Sequence, residues 1–235
     1  MGSVFKFKEF DVNQEGCAMK INTDGVLLGA MVESCEPSRI LDVGSGTGVI
    51  SLMLAQRFPN AVVDAVDIDE TAYRRTLENF QASGFSARMC AHDGDFETVP
   101  TEAAYDLIVS NPPFYVNALH NPDPRKRVAR HTDLAFFKRL ITFADRRLSA
   151  GGKLQLILPI DLSEDILQYT DKEGLLLVKE VVVRSFAYSE PIRKIMFFSK
   201  DRNVPTERND FVIYEQKGIY SEEYQTLLKP FFLAF

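Results

Sequence analysis

The segment Asn111-Pro112-Pro113-Phe114 combines residue types that can hold a flat amino group. It follows an apolar run over 105–110, which predicts a buried strand that ends in a turn. The two prolines lack N–H donors and keep the residues before them out of helical geometry. The side-chain oxygen of Asn111 and the carbonyl of Pro112 can accept hydrogen bonds, and Phe114 offers an apolar face. The set suits a nucleobase or a planar amide, although an ordinary tight turn has the same residue types.

A second segment, residues 39–55, has the pattern of a strand, a glycine turn and a helix. Gly44, Gly46 and Gly48 permit a sharp turn and a close approach of the backbone to a ligand. The helix that opens near Val49 directs its free N–H groups toward the same place. Val49 stands where the dinucleotide fingerprint G-x-G-x-x-G has its third glycine, so a pyrophosphate ligand is not required.

Acidic residues end the strands on either side of this turn. Asp42 ends the predicted strand over 39–43, and Asp67 follows the next strand along the chain. A carboxylate at such a position can accept hydrogen bonds from ribose hydroxyls. Asp69 is an alternative to Asp67, although its position is more typical of a helix N-cap. In open α/β sheets ligands bind at the carboxyl ends of the strands, so Asp42, Asp67, Asp95 and Asn111 are expected to converge.

The elements that position these residues alternate along the chain. Strands are predicted over 39–43, 61–66, 87–91, 105–109, 153–158, 178–185, 192–199 and 210–214. Helices are predicted over 24–33, 47–57, 70–83, 133–149, 162–172 and 221–229. This alternation indicates a parallel sheet covered on both faces, and the last strands, which lack long helices between them, predict an antiparallel edge hairpin. Gly151 and Gly152 are predicted to close the helix over 133–149, and Ser221 to cap the last helix.

Length and composition indicate one domain without membrane or secretory character. The chain has 235 residues, of which 46% are hydrophobic, and it shows no linker, repeat or low-complexity segment. No apolar run reaches the roughly 18 residues of a membrane helix, and the amino terminus lacks a secretory signal. Cys17, Cys35 and Cys90 are too widely spaced to indicate a disulfide framework or a metal site. The three histidines also lack metal-ligand spacing, so a reduced, cytoplasmic protein without a metal is predicted.

The charge distribution leaves room for a local nucleic-acid surface. The net charge of −6 argues against strong nonspecific binding to nucleic acid. The densest basic cluster, Arg125, Lys126, Arg127 and Arg130, comes shortly after Phe114, in the segment that would border a substrate pocket. These four residues are predicted to contact nucleic acid, with a solvated surface patch as the alternative. Arg193 and its neighbour Lys194 form a further candidate pair.

Taken together, the glycine turn, the acidic strand end and the Asn111–Phe114 segment resemble those of amino-methyltransferases that use S-adenosylmethionine. The stretch over 17–30, CAMKINTDGVLLGA, resembles the bacterial tRNA1(Val) adenine-N6 methyltransferase family. That stretch is the discriminating part, because methyltransferases for guanine or protein glutamine share the Asn-Pro-Pro-Phe motif. The likeness extends to residues 220–224 and 231–233. The family modifies the adenine beside the anticodon of a valine tRNA.

The resemblance implies a fold and a set of partners. The expected fold is an α/β, Rossmann-like class I methyltransferase with a mostly parallel seven-stranded sheet, helices on both faces and an antiparallel edge hairpin. One methyltransferase domain would span residues 1–235. Within it, residues 1–35 would form an extension at the cofactor and substrate side, and residues 36–235 the core. S-adenosylmethionine is the implied cofactor and tRNA the implied partner, with no membrane and no metal.

The resemblance also assigns roles to individual residues. The glycines of the turn, Gly44, Gly46 and Gly48, would line the methionine moiety, and Asp67 would accept from the ribose hydroxyls. Asp95 would contact the adenine amine of the cofactor, with Asp93 as the competitor. The remaining cofactor residues would be Lys20, Thr23, Asp24, Asp42 and Asn111. Thr23 or Asp24 could instead be a plain helix cap.

The implied mechanism uses positioning rather than a covalent nucleophile. The catalytic set is Asn111, Pro112, Pro113 and Phe114, in which Asn111 and the Pro112 carbonyl hold the amine and Phe114 stacks on the base. An unpaired base of an anticodon loop reaches such a pocket more easily than a paired one. The alternatives are a protein glutamine methyltransferase, a small-molecule methyltransferase and a cofactor-binding RNA chaperone without catalysis. The intact motif argues against the last of these.

Overall fold

A computed structural model describes residues 4–33, 36–100, 103–112, 124–202 and 204–235. The strands are β1 (Val4–Lys6), β2 (Asp11–Asn13), β3 (Arg39–Val43), β4 (Val62–Asp67), β5 (Met89–Asp93), β6 (Tyr105–Ser110), β7 (Leu148–Leu158), β8 (Leu176–Arg184), β9 (Pro191–Ser199), β10 (Glu207–Val212), β11 (Tyr214–Gln216) and β12 (Ile219–Tyr220). The helices are α1 (Thr23–Met31), α2 (Val49–Arg57), α3 (Glu70–Ala82), α4 (Pro124–Arg147), α5 (Ile160–Glu173) and α6 (Glu222–Leu228). In this part of the chain no helix is long and apolar enough to cross a membrane.

The central sheet confirms the predicted α/β class. Its strand order is β10-β8-β9-β7-β6-β3-β4-β5. Strands β5, β4, β3, β6 and β7 run parallel to one another, whereas β9 pairs antiparallel with both β7 and β8. The sheet has eight strands in the described ranges, not the seven that the resemblance implied, because β10 adds a further parallel strand beside β8. The antiparallel hairpin therefore lies inside the sheet, and β10 covers its outer side.

Alternation of side chains along the strands divides the core into two layers. Ile40 and Val109 point to the face covered by α1, α2, α3 and α6, whereas Leu41 and Ile108 point to the face covered by α4 and α5. Because both faces are covered, these strands read as continuous apolar runs. The carboxyl ends of β3, β4, β5 and β6 lie at one edge of the sheet, and the loops that follow them form the candidate site.

The prediction that Gly151 and Gly152 close a helix over 133–149 is wrong. Helix α4 starts earlier and ends at Arg147, and both glycines lie within β7. A Cβ at Gly152 would lie 2.8 Å from the carbonyl oxygen of Tyr105, so glycine is needed where β7 meets β6. The pairing of these two strands shifts register at that point. Gly152 thus serves a close strand contact, which a local helix-stop pattern does not reveal.

The amino-terminal hairpin joins the carboxyl terminus. Strands β1 and β2 pair antiparallel, and Phe7 then forms a bridge with Phe232. The N–H of Lys8 donates to the carbonyl of Phe231 at 2.8 Å, and Phe7 also stacks on Phe10 at 4.5 Å between ring centroids. The carboxyl-terminal aromatics therefore pack on the first strands of the same chain. The predicted cap of the last helix is confirmed, because the Ser221 hydroxyl accepts from the next turn of α6.

Candidate active site

The turn between β3 and α2 is built on glycines with left-handed backbone conformations. The φ angles are 76° at Gly44, 59° at Gly46 and 76° at Gly48, a region that side chains disfavour. A Cβ at Gly44 or Gly46 would meet nothing within 4 Å, so both residues border open space. A Cβ at Gly48 would lie 2.9 Å from Cε1 of Phe80. Gly44 and Gly46 therefore leave a cradle for a ligand, whereas Gly48 permits close packing of α3 against the turn.

Backbone and side-chain hydrogen bonds hold this turn in place. The N–H of Gly44 donates to the carbonyl of Val66 at 2.9 Å, which ties the turn to the end of β4. The Thr76 hydroxyl of α3 donates to the carbonyl of Gly46 at 3.1 Å. Nδ2 of Asn79 donates to the carbonyl of Thr47 at 2.8 Å. The cradle is thus formed by the protein itself and requires little ordering when a ligand binds.

Asp67 stands at the end of β4 beside the cradle. Its Oδ2 accepts from the N–H of Gly46 at 2.8 Å, and its Oδ1 accepts from the N–H of Asp69 at 3.0 Å. Burial raises the pKa of Asp67 above its ordinary value, although these backbone bonds oppose the shift. A carboxylate offers about four acceptor positions, so capacity remains for hydroxyl groups of a ligand. Asp69 has the capping role that its position indicated, since its side chain accepts from the N–H of Thr71 at 2.8 Å.

Asp42 lies underneath the turn rather than at the open edge. Its side chain is fully buried, and its Oδ2 accepts from the hydroxyl and the N–H of Ser51 at 2.6 and 3.2 Å. Oδ1 has no hydrogen-bond partner in the described ranges. Burial raises the pKa of Asp42 to about 7, although the bonds from Ser51 oppose the shift. The expectation that Asp42 meets the ribose because it ends a strand does not fit this placement, because the side chain points to α2.

The loop after β5 places Asp95 beside helix α4. Its Oδ1 accepts from the N–H of Glu97 at 3.0 Å, and both its oxygens lie 2.8 Å from Nη2 of Arg139. The N–H of Gly94 donates to the carbonyl of Asp67 at 2.9 Å, so this loop is tied to the end of β4. Asp93 ends β5 with an exposed side chain. The choice between Asp93 and Asp95 as the adenine contact stays open. Arg139 had no local signal in the sequence.

The first turn of α1 packs against Asn111. Asn111 directly follows β6 and is only 8% exposed. A Cβ at Gly25 would lie 3.6 Å from Nδ2 of Asn111. The N-cap of α1 is Asn22, whose side chain accepts from the N–H of Gly25 at 2.9 Å, so neither Thr23 nor Asp24 is the cap. The discriminating stretch over 17–30 therefore reaches the same place as the Asn-Pro-Pro-Phe motif.

The predicted cofactor residues of that stretch, Lys20, Thr23 and Asp24, are not buried. Asp24 accepts from Nε of Arg193 in β9 at 2.7 Å, and Lys20 and Thr23 are exposed. The candidate Arg193 is thus engaged in an ion pair, and so is Lys194, which lies 2.7 Å from Oε1 of Glu180. The pair with Asp24 connects α1 to the antiparallel hairpin, and the pair with Glu180 joins the two strands of that hairpin.

Part of the predicted catalytic and RNA-contacting sets lies beyond what the structure describes. Pro112 is buried beside Asn111, whereas Pro113 and Phe114 fall outside the described residues. Arg125, Lys126, Arg127 and Arg130 fall in the first turns of α4, where only the helical backbone is described. Their assigned roles remain predictions.

A second polar cluster occupies β4 and β5 further from the open edge. Asp64 accepts from Nη2 of Arg39 at 2.8 Å and from the Tyr105 hydroxyl at 3.3 Å, and its Oδ1 lies 2.9 Å from Nε2 of His92. The ligand-type atoms of Asp64, Cys90 and His92 lie within 4.8 Å of one another, a proximity that the spacing of the histidines did not predict. The contacts of Asp64 with Arg39 and His92 account for this cluster as an ion-pair network.

The fold and the cradle together define an S-adenosylmethionine-dependent methyltransferase: an open, mostly parallel α/β sheet with a glycine turn and an acidic residue at adjoining strand ends. Residues 20–168 match the model of the methyltransferase small domain. The chain belongs to the family of curated proteins named tRNA1(Val) (adenine(37)-N6)-methyltransferase. A member from Pedobacter heparinus is 46% identical over 235 residues, covering 100% of both chains. A member from Porphyromonas gingivalis is 39% identical, covering 97% of this chain and 94% of its own.

Solved structures agree with the fold. A predicted O-methyltransferase from Agrobacterium tumefaciens superposes with a TM-score of 0.67 at 18% identity, over 88% of this chain and 96% of its own. A ribosomal protein L11 methylase from Lactobacillus delbrueckii subsp. bulgaricus superposes with a TM-score of 0.58 at 17% identity, over 80% of this chain and 83% of its own. At these identities the likeness concerns the fold alone.

Proposed function

We propose that this protein transfers a methyl group from S-adenosylmethionine to N6 of adenine 37, beside the anticodon of a valine tRNA. The observation that carries the proposal is the similarity to curated methyltransferases of that name, which reaches 46% identity over the whole of both chains. The buried amide of Asn111 at the end of β6 supports it, because an amine substrate needs hydrogen-bond acceptors at that place. A tRNA substrate also agrees with the cytoplasmic location predicted from cysteine usage.

The residues of the open edge fit the cofactor. S-adenosylmethionine supplies an electrophilic methyl group when it is bound, so the protein needs no covalent nucleophile. Gly44 and Gly46 would hold it by backbone approach, since side chains are absent where their Cβ atoms would point. Asp67 would accept from its ribose hydroxyls with the lone pairs that the Gly46 and Asp69 amides leave free. Lys20, Thr23 and Asp24 would close over it from the start of α1.

The acceptors at the motif would set the direction of the reacting nitrogen. The lone pair of the adenine 6-amino group is delocalised into the ring, which makes the nitrogen a poor nucleophile. If the Asn111 side chain and the Pro112 carbonyl accept both N–H bonds, the lone pair is directed out of the ring plane as the nitrogen becomes tetrahedral. The proton becomes acidic as positive charge develops, so a strong base is not required. Phe114 would stack on the base.

Burial strengthens these hydrogen bonds. Asn111 is 8% exposed, and Gly25 of α1 packs beside its Nδ2 atom. Interactions between polar groups are stronger where water is excluded, and a side chain locked by packing loses less entropy on binding. The capping bond from Gly25 to Asn22 and the ion pair between Asp24 and Arg193 fix α1 in this position. The amino-terminal extension would thus act as a positioning element for the amide.

The decisive experiment is methyl transfer from labelled S-adenosylmethionine to an unmodified valine tRNA transcript, followed by nucleoside mass spectrometry. N6-methyladenosine in the anticodon-loop fragment is the expected product. A transcript with guanine at position 37 is the matched control and should remain unlabelled. Unlabelled RNA, with cofactor binding intact, would contradict the proposal. The same assay would then be run on release-factor proteins, whose glutamine side chain presents a similar planar amide.

The salt dependence of substrate binding is an independent way to distinguish a tRNA substrate from a protein substrate. Binding of tRNA neutralises phosphates and should weaken steeply as salt rises, with basic residues such as Arg125, Lys126, Arg127 and Arg130 as the contacts. A protein substrate would show a much smaller dependence. A flat salt profile for the methylation of tRNA would contradict the role of these four residues.

A further inference from the structure

The turn between β8 and β9 lies at the same edge of the sheet as Asn111. Ser110 pairs with Leu156 of β7, and Leu158 pairs with Lys194 near the start of β9. Arg184, which ends β8, pairs with Pro191. Strands β6, β7, β9 and β8 are successive neighbours, so the turn lies roughly 14 Å to the side of β6. It also extends about 20 Å beyond Ser110 along the strands, because Ser110 is level with Met196 and Glu180. An RNA stem-loop could contact both places.

This turn is rigidly bonded. The N–H of Ser189 donates to the carbonyl of Phe186 at 2.9 Å, which closes a four-residue turn. The N–H of Phe186 donates back to the Ser189 hydroxyl at 3.0 Å. Nη1 of Arg184 donates to the Ser189 carbonyl at 2.7 Å. The conformation of residues 186–189 is therefore set before any partner binds.

The turn displays an aromatic ring to solvent. Tyr188 is 84% exposed, and its ring lies parallel to that of Phe186, with 5.3 Å between centroids and 8° between planes. Further inward, the ring centroids of Phe186 and Tyr214 lie 5.7 Å apart, and Tyr214 stacks on Tyr220 with 5.0 Å between centroids. Tyr220 stacks in turn on Tyr224, which is 3% exposed. A continuous ladder of rings thus leads from the core to one exposed ring, which stacks on Phe186.

The charges around the ladder favour stacking over phosphate binding. Arg184 is paired with Asp210, and Arg193 is paired with Asp24. Glu190, next to the turn, is exposed. A flat ring without a basic surround suits the face of an unpaired base, because every base presents a π-face. Tyrosine is also a low-entropy contact residue, since few of its bonds must be immobilised.

We propose that Tyr188, supported by Phe186, is a stacking platform for an unpaired base of the substrate RNA, at the same edge of the sheet as Asn111. The inference rests on the proposed tRNA substrate and deepens it. It assigns the β8–β9 turn to recognition of the anticodon loop. Single-stranded loops are recognised in this way in RNA, by aromatic side chains on which splayed bases stack.

The test uses the absence of tryptophan from the sequence. Tyr188→Trp introduces a single fluorescent reporter, and stacking of a base should quench its emission when an unmodified anticodon stem-loop of valine tRNA is added. Val62→Trp, which is exposed at the start of β4 and therefore at the opposite edge of the sheet, is the control reporter and should keep its emission. Unchanged emission at position 188, under conditions where the RNA is bound, would overturn the platform.

Binding measurements with side-chain variants separate stacking from simple apolar contact. Tyr188→Ala should raise the Kd for the stem-loop about 5- to 100-fold. Tyr188→Leu should behave like Tyr188→Ala because the flat ring is lost, whereas Tyr188→Phe should bind like wild type. Because the side chain is exposed, melting temperature and the Kd for S-adenosylmethionine should not change.

The two proposals fail in different ways. Normal stem-loop affinity of Tyr188→Ala, together with methylation of tRNA by the wild type, would overturn the platform and leave the proposed function standing. A wild-type protein that neither binds nor methylates tRNA would overturn both. Loss of S-adenosylmethionine affinity in Tyr188→Ala would show that the turn acts on the cofactor site instead, and would also overturn the platform.

Discussion

Two carboxylates on the same strand have opposite surroundings. Asp64 and Asp67 are three residues apart on β4, so their side chains point to opposite faces of the sheet. Asp64 bonds to the side chains of Arg39, His92 and Tyr105. Burial alone would raise the pKa of Asp64, but His92 and Arg39 outweigh it and hold the pKa below its ordinary value. Asp67 accepts from backbone N–H groups, and burial raises its pKa.

The hydrogen-bond partners distinguish Asp64, a structural carboxylate, from Asp67, which can bind a ligand. Around Asp64, the cationic and hydroxyl side chains that match the carboxylate come from the protein itself. Around Asp67, the backbone orients the carboxylate toward open space at Gly46 and leaves lone pairs for another molecule. The residue type is the same in both cases. What differs is whether neighbouring strands supply partners, and at the carboxyl end of β4 the chain turns away instead.

The largest expected effect is on catalysis, at Asn111, which lies at the open edge of the sheet where the substrate would bind. Asn111→Ala removes an acceptor for the amine and should lower kcat for tRNA methylation about 10²- to 10³-fold, as the loss of one oriented hydrogen-bonding group does in other active sites. The Kd for S-adenosylmethionine, measured by calorimetry, should stay within about twofold. Asn111→Asp is the matched control and should retain more activity because it keeps an acceptor oxygen. Normal turnover of Asn111→Ala, or its failure to bind the cofactor, would contradict the assigned role.

On the structural side of the comparison, Asp64→Asn should lower the free energy of unfolding by about 2–3 kcal/mol. The substitution leaves Arg39 and His92 without their carboxylate, and partial exposure of Arg39 limits the cost. Urea denaturation measures the change, and the Kd for S-adenosylmethionine should be unaffected. Cys90→Ser tests the neighbouring thiol and should have little effect. An equal loss of stability from Cys90→Ser would indicate that the three residues act as a ligand set.

The pH dependence of stability tests the effect of burial on Asp42. Its pKa is raised from 3.8 to about 7, so between these values the folded protein binds more protons than the unfolded chain. Stability contributed by this group therefore falls as pH rises through that window and is constant above it. Asp42→Asn removes the free-energy cost of keeping a charged carboxylate buried, which corresponds to about 4 kcal/mol for the full pKa shift. Because the amide accepts hydrogen bonds from Ser51 less strongly than the carboxylate does, we expect a net gain of about 2 kcal/mol in the unfolding free energy at about pH 8. The gain should shrink toward pH 4, and a gain independent of pH would rule out titration of Asp42 as its origin.

The smallest effect is expected on cofactor affinity. Asp67→Asn replaces one acceptor oxygen by an NH2 group and should weaken binding of S-adenosylmethionine about tenfold, or about 1.4 kcal/mol. The free energy of unfolding should change by less than about 1 kcal/mol. Asp69→Asn is the matched control, since asparagine keeps the cap of α3, and its cofactor affinity should be normal. Similar losses of cofactor affinity in the two variants would contradict the assignment of Asp67 to the ligand and of Asp69 to the helix cap.

Local patterns predicted much of the fold. The glycine turn, the strand over 39–43 and the cap at Ser221 were predicted correctly, because each depends on neighbours within a few residues. Two predictions of the same kind failed. Gly151 and Gly152 were assigned to a helix end, but the deciding contact is with Tyr105 on another strand. Thr23 and Asp24 were considered as caps, but the adjacent Asn22 makes the capping bond.

By itself, the sequence determined the order along the chain of the helices and of the eight central-sheet strands, the positive-φ turn at Gly44 and Gly46, and the family to which the chain belongs. These features depend on the period of hydrophobic residues, on the backbone freedom of glycine and on similarity to related sequences. All three are properties of the linear sequence. Only the tertiary structure decided that Asp42 is buried under α2, that Asp64 is satisfied whereas Asp67 faces a cradle, and that Asp24 pairs with Arg193, 169 residues away. Desolvation and ion pairing depend on which side chains approach through space, and the packing of the sheet and its helices determines that.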